Sequence, residues 1–420
     1  MRCPALSELP PPPPGKLGWP WTEESPRLPD MMENGSSWPL ISIVTPSYNQ
    51  GRFIEGTIRS VLLQGYPNLE YVIIDGSSTD NSVEIIRKYE KWLAYWVSEP
   101  DKGQAHAINK GFREVTGEVL AWLNSDDEYC PKAFCFVARH FQGKPNMALL
   151  YGDCEMVDDN ESIIGRIKGQ HGDLTDLLIR DFIPQPSAFF HRQAWEAVGG
   201  GLDVSLHFAL DYELWIRMML KGTKLQYVPM SLSRFRWHNA SKSRRDLARF
   251  GFDQLAILER LYQKQEDERL RKVKPHAYHE CFKVIETGYL QGIEEGKDQE
   301  DEIVQMLMLW ARHLEKHQED YIQDARLWAE SLYRIGHHYC FYGHMEQGRR
   351  FFSMALQVNK TAYKALLGWG ISCMGVKLYR LYSKMRRTLF RFLLRLNCRF
   401  LPSYYNRHTG GILLSKLSKP

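Results

Sequence analysis

From Leu40 to Asp127 the chain repeats one pattern: a short apolar run, a polar loop, then apolar positions at helical spacing. Leu40–Thr45 (LISIVT) is β-branched and unbroken, the signature of a strand buried on both faces. After PSYNQG, residues Phe53, Ile54, Ile58, Val61 and Leu62 mark one face of a helix, which Gly65-Tyr66-Pro67 stops. A second strand, Tyr71–Ile74, runs into Asp75 and the loop GSSTD. Asp80 is placed to cap a helix carrying Val83, Ile86 and Tyr89. A third strand near Ala94–Val97 leads through SEPDKGQ into a helix that runs through Ile108. The fourth, Leu120–Asn124, ends in two adjacent carboxylates, Asp126 and Asp127, before Pro131. Four such repeats predict a parallel sheet with right-handed crossovers. The loops TPSYN, DGSSTD, EPDKGQ and NSDD then share the carboxyl edge of the sheet, where α/β proteins bind ligands.

Further along, Ala148–Asp153 reads as a strand and Asp173–Asp181 as a short helix. Ile183–Gly200 places an extended segment before a helix with a glycine stop. Leu214, Ile216 and Met219 then fit the buried face of a helix that has Asp211 at its start. From Arg244 the pattern is helical. Leu332, Ile335, Gly336, Tyr339, Gly348, Phe352 and Ala355 fall at the spacing of one tetratricopeptide-like helical pair, which cannot bury its own face without neighbours. Residues 1–38, with Pro10–Pro14 and scattered tryptophans, show no period and are expected to be disordered. The expected organisation is thus a tail (1–38), an α/β domain (39–243), a helical accessory domain (244–365) and a basic amphipathic end (366–420).

Charge sharpens the reading of that end. All 50 Asp and Glu and 39 of the 54 Lys and Arg lie in 1–346, giving −11, against +15 for the last 74 residues. Leu378, Leu381, Tyr382, Met385, Leu389, Phe392, Leu393 and Leu396 recur at helical spacing, with Lys377, Arg380, Lys384, Arg387, Arg391 and Arg395 between them. A basic amphipathic helix of this kind suits an anionic membrane surface better than nucleic acid or a snorkelled core. The N-terminus has no apolar core of a signal peptide. No run reaches the roughly 18–20 apolar residues of a span. The eight cysteines are scattered without metal-like spacing. A cytoplasmic protein peripheral to the membrane is expected.

The chemistry starts at Asp126 and Asp127. Two neighbouring anions call for a cation, and a hard divalent ion with oxygen ligands suits them; the plain alternative is a solvated acidic turn. TPSYNQG offers no GxGxxG to hold a pyrophosphate, and there is no P-loop. Phosphate charge would then fall to a metal and to bases such as Lys102.

The segments ISIVTPSYN, EYVIIDGSSTDNS, SEPDKGQAHAINKG and EVLAWLNSDD, in this order and spacing, resemble family 2 glycosyltransferases over roughly Pro39 to Ser243. The form with DG after the second strand and LNSDD after the fourth is similar to bacterial members that build cell-surface polysaccharides. The resemblance implies a GT-A fold, a Rossmann-like and mostly parallel sheet, followed here by the C-terminal helices. It also implies an inverting, metal-dependent enzyme using a nucleotide-diphosphate sugar, with Mn²⁺ or Mg²⁺. Carried onto this sequence, Thr45, Tyr48, Asn49, Asp75, Ser78, Lys102, Asn109 and Asp126 would form the nucleotide-sugar site. Asp126 and Asp127, with His238 from RFRWHNASKS, would bind the metal. The usual DxD stands here as Asn124-Ser125-Asp126. Asp211 occupies the ED-type position, Leu210 replacing the Glu, and is expected to be the catalytic base, with Glu213 in reserve. Gln185 would face a glycan or lipid-linked acceptor. Two alternatives remain open on sequence: an inactive nucleotide-sugar-binding scaffold, and a nucleotidyltransferase of related fold, which would want a Gly-rich basic loop that TPSYNQGR does not offer.

Overall fold

The computed structural model describes residues 1–142, 148–238, 241–242, 246–264, 267–294, 299–322 and 324–383. The chain divides into two compact units, 1–177 with 181–244, and 178–180 with 245–420.

In the first unit, β1 (Ile41–Ser47), β2 (Leu69–Asp75), β3 (Tyr95–Ser98) and β4 (Val119–Trp122) run parallel in the order β3-β2-β1-β4. β1 lies between two partners and is buried throughout, as its unbroken apolar run requires. Its pairing with β4 ends at Val44, so Pro46, which has no N–H to give, falls where only β2 is alongside. The crossovers are α1 (Ile54–Leu62), α2 (Ser82–Tyr89) and α3 (Gln104–Arg113). α3 lies against β1 because Gly111 has no side chain: a Cβ there would come within 2.3 Å of Val44 Cγ1.

Beyond β4 the sheet becomes mixed. It adds β5 (Glu128–Tyr129), β6 (Ala148–Val157), β7 (Ile163–Ile167), β8 (Ala188–His191) and β9 (Lys224–Arg236), with α4 (Ala133–Phe141), α5 (Leu174–Ile179), α6 (Arg192–Ala197) and α7 (Leu210–Leu220). β8 runs antiparallel between β4 and β6, β9 lies parallel to β6, and β5 and β7 are antiparallel additions to β9 and β6. Pro229 sits in β9 where the register against β6 shifts between Tyr151 and Asp153. Each face carries its own core. One holds Ile43, Ile58, Tyr66, Tyr71, Phe134 and Phe189; on the other an aromatic cluster joins Phe112, Trp122, Phe190, Trp195 and Trp215.

The expectation of disorder for residues 1–38 is wrong. This segment packs on the first core, with Cys3, Leu9, Trp19 and Trp38 buried. The cause is tertiary. Arg59 on α1 is fully buried, and its guanidinium donates to the carbonyls of Pro10, Pro20 and Trp21 at 2.8–3.0 Å. Trp19 Nε1 donates to Tyr129 O at 2.8 Å. Apart from one 3-10 turn at Leu6–Glu8 and a Met31–Ser37 bridge, this proline-rich segment is irregular, so its carbonyls remain free to satisfy a buried cation.

The second unit contains α8 (Leu247–Lys264), α9 (Glu268–Glu294), α10 (Glu300–Lys316), α11 (Gln318–Ile322), α12 (Ala325–Phe341), α13 (Met345–Val358) and α14 (Tyr363–Ser372). α12 and α13 pack closely where Gly348 meets Gly336: a Cβ on Gly348 would lie 2.1 Å from Cys340 Sγ. Buried Glu286 joins Arg334 (2.8 Å) and His338 within this unit. Among the described residues no helix is long and apolar enough to cross a membrane. Of the expected basic amphipathic helix, 376–383 is described and helical, while Lys384–Leu396 lies outside the described residues.

Candidate active site

The loops after β1 and β2 are stitched into one surface. Asp75, fully buried at the end of β2, accepts from Ser78 N (2.8 Å), Ser78 Oγ (2.5 Å) and Ser98 Oγ (2.7 Å). Ser78 Oγ in turn accepts from Asn49 N at 2.8 Å, and Asn49 Oδ1 accepts from Thr79 N at 2.8 Å. Asn49 adopts φ 52°, a left-handed turn that Asn tolerates well. Tyr48 beside it stands 62% exposed, a ring face open to a ligand. Asp80, expected to cap α2, accepts from Ser82 N and also from Gly51 N, tying the β1 loop down a second time.

The loop after β4 is held from three sides. Asn124 donates to Asp127 Oδ2 and to Gln185 Oε1, each at 3.3 Å, and accepts from Gln104 Nε2 at 2.7 Å. Gln185 donates to Trp122 O at 2.9 Å, and Lys242 Nζ reaches Gln104 Oε1 at 2.9 Å. Arg236, at the end of β9 and nearly fully buried, clamps the acids from behind. Its N–H donates to Asp127 Oδ1 (3.0 Å), Nε to Asp126 O (3.1 Å), and one guanidinium nitrogen to Glu128 Oε1 (2.6 Å). Two residues on, His238 places Nε2 3.0 Å from Asp126 Oδ2. Its ring rests on Phe53 at the entrance to α1, centroids 4.7 Å apart.

These contacts separate the two acids. Asp127 is 1% exposed and both its oxygens already accept protein donors. Burial, and then the charge of Asp126, push its carboxyl well above the usual carboxylate range. Its geometry is that of a strut. Asp126, only partly buried, shares its oxygen with a neighbouring imidazole nitrogen. The 3.0 Å contact is a hydrogen bond as it stands, and the same spacing suits two ligands about 2.0–2.2 Å from one divalent ion. Such an ion, if Mg²⁺, ordinarily takes one or two carboxylates plus substrate phosphates rather than a full protein cage. That matters because no group of three His, Cys, Asp or Glu suited to a metal occurs among the described residues.

Asp211 opens α7, with its Oδ1 accepting from Tyr212 N at 2.9 Å. Burial raises its carboxyl from 3.8 to about 6. Trp215 lies one turn further along the same helix face and stacks on Trp122 at 5.6 Å. Trp122 is two residues before Asn124, so the Asp211 helix is packed on the strand that carries the acids. Lys242 also donates to His207 O (3.1 Å), four residues before Asp211, while bonding Gln104 beside Asn124. Glu213, the reserve base, is paired with Arg217 at 2.7 Å.

A family model described as glycosyl transferase family 2 matches residues 42–198. An uncharacterized glycosyltransferase of Mycobacterium tuberculosis is 30% identical over 193 residues, which cover 44% of this chain and 71% of that protein. The chain belongs to glycosyltransferase family 2. This glycosyltransferase is also 40% identical over 98 residues to the putative teichuronic acid biosynthesis glycosyltransferase TuaG of Bacillus subtilis, covering 22% of the chain and 39% of TuaG. Among solved structures, S. aureus TarS 1–349 in complex with UDP-GlcNAc matches with a TM-score of 0.52 and 13% identity. The match covers 81% of this chain and 92% of that one. The fold is GT-A, as the motifs imply.

Within the glycosyltransferase, Asn49, Asp75 and Ser78 come together in one network, with Tyr48 exposed beside Asn49, and Asp126, Asp127, Gln185 and His238 in a second. Phe53, at the end of the β1 loop, touches the second. Lys102 is exposed in the loop after β3. Two expected ligand contacts are otherwise engaged. Thr45 is buried with Oγ1 3.1 Å from Tyr71 OH. Asn109 exchanges both amide atoms with the backbone of Leu202, at 2.9 and 2.7 Å, and so anchors the segment leading to α7. Gln104, Arg236 and Lys242 were not foreseen. Gln104 stands inside the quoted DKGQ motif and Arg236 two residues before His238, but only the fold shows what they hold.

Proposed function

We propose that this chain transfers a sugar, with inversion, from a nucleotide-diphosphate donor to a hydroxyl of a glycan or lipid-linked acceptor in the building of a cell-surface polysaccharide. The observation that carries the reading is the Asp126–His238 pair on a strand loop whose own strand supports the helix of Asp211. The likeness to TuaG, named for teichuronic acid biosynthesis, supports the polysaccharide assignment.

Tyr48 offers its exposed face to the nucleobase. Asp75 already accepts three hydrogen bonds, which leaves about one acceptor site for a base N–H; its larger part is to orient Ser78 and Ser98. Lys102 serves the diphosphate. Asp126 and His238 would hold Mn²⁺ or Mg²⁺, which when bound takes up charge on the departing diphosphate. Asp127 keeps that loop in place. Asp211 takes the proton from the acceptor hydroxyl as its oxygen attacks opposite the leaving group. Its raised pKa, near 6, leaves it ionised at neutral pH yet more basic than an open carboxylate. General-base help of this kind is worth about 10²–10⁴-fold. Gln185, hydrogen-bonded to Asn124, is assigned to the acceptor side.

The test is a donor screen, beginning with UDP-GlcNAc, for release of nucleoside diphosphate with Mn²⁺ or Mg²⁺, followed by NMR of the product's anomeric centre. Metal-dependent release from at least one donor and an inverted product are expected. Retained configuration, or no release from any donor with either ion, would count against the reading.

A further inference from the structure

The last described part of the helical unit carries large apolar side chains that remain in solvent. Leu366, Leu367 and Trp369 on α14 are 57%, 51% and 41% exposed, Met374 in the following turn 65%, and Leu378 and Leu381 48% and 52%. Their exposure follows from which faces are used for packing. On α14, Ala365 and Ser372 turn inward and Gly368 lies against Phe352, so Leu366 and Leu367 turn out. On 376–383, Tyr379 and Ser383 are buried, Tyr379 OH sits 2.8 Å from His337 Nδ1, and Leu378 and Leu381 occupy the opposite side. Isolated exposed leucines need no explanation; a run of six over sixteen residues on two successive helices does.

The charges around the face select its occupant. Lys377 is exposed between the apolar residues, and Arg380, also exposed, donates from Nε to Phe341 O at 2.7 Å while keeping its charge at the surface. No Asp or Glu follows Glu346, while 15 Lys and Arg lie between Arg349 and Lys419. A stretch with cations and no anions repels basic surfaces and is drawn to a continuous negative one. Outward Leu, Met and Trp beside Lys and Arg are the composition of helices that lie in the headgroup layer of a bilayer. We propose that 366–381 is a docking face for the surface of an anionic phospholipid bilayer, entered by Leu366, Leu367, Met374, Leu378 and Leu381 and steered by the basic residues. This rests on the helical unit alone and stands or falls separately from the transferase chemistry.

The test is flotation of the full chain with vesicles of phosphatidylcholine alone or mixed with phosphatidylglycerol. The parent should float with the anionic vesicles, much less with the neutral ones, and less as salt is added. The pair Leu378→Glu and Leu381→Glu should weaken binding by at least about tenfold, since each leucine loses its buried area and gains a repelled charge. The pair Leu366→Glu and Leu367→Glu should do the same. All four positions are exposed, so unchanged circular dichroism and melting are expected. If one pair disturbs folding, the other decides. Variants that float like the parent, or a parent that ignores the anionic vesicles, would overturn the proposal. So would a parent dimer that these substitutions split while no form floats, since the face would then bind a second copy.

Discussion

Asp211 sets two pH responses with opposite consequences. Its carboxyl is raised by burial from 3.8 to about 6, so base-assisted turnover should fall as pH drops through about 6 and level off above it. A kcat–pH profile measures this; a profile flat between about pH 5 and about pH 8 would exclude Asp211 as the base. For stability, the folded state holds this proton more tightly than the unfolded chain. The group's stabilising contribution is therefore complete below about pH 4 and lost as pH rises through about 6. Asp211→Asn should melt above the parent at about pH 8, with the gap closing below about pH 4. Arg236 is the other residue on which the site leans. Arg236→Ala leaves Glu128, 1% exposed, without its close partner and releases Asp126 O, a loss of about 3–5 kcal/mol readable by urea denaturation. A change below about 1 kcal/mol would mean the clamp is incidental. Asp211 is assigned from its position in a motif, whereas the contacts of Arg236 could not be read locally, since it reaches acids more than a hundred residues away.

At the scale of elements, the parallel half was legible because each strand is a short apolar run ending in a polar loop, and those loops carry the proposed site. The mixed half was less so. β9 reads KLQYVPMSLSRFR, polar and apolar positions mixed around a proline, and nothing in that pattern announces a strand. Its place is fixed by pairing with β6 and β5, which lie far away in sequence. The N-terminal segment was misread for the same reason: its order comes from Arg59 and the α1 surface. Deleting residues 1–38 should therefore not be neutral. It strips three backbone acceptors from a fully buried guanidinium and uncovers part of the core. We expect a lower and less cooperative urea transition for the deletion, and Trp19→Ala alone should cost about 3–5 kcal/mol. A truncated chain unfolding at the parent's midpoint would restore the idea of a passive tail.

For the whole molecule, charge and fold divide the work. Residues 1–346 are net acidic and hold the residues assigned to nucleotide, metal and base. The acid-free remainder carries the apolar and basic face. The sequence motifs pointed to the loops at this sheet edge but could not separate Asp126 from Asp127, because the two are adjacent and chemically identical until the fold buries one of them. The most direct measurement is thermal stabilisation and turnover with UDP-GlcNAc, or another donor selected by the screen, with and without Mn²⁺. Parent, Asp126→Asn, His238→Ala and Asp211→Asn are compared. Asp126→Asn and His238→Ala should lose the metal-dependent stabilisation, while Asp211→Asn should keep it and fail to turn over. An Asp211→Asn enzyme as active as the parent, or an Asp126→Asn protein with undiminished metal-dependent binding, would contradict the account.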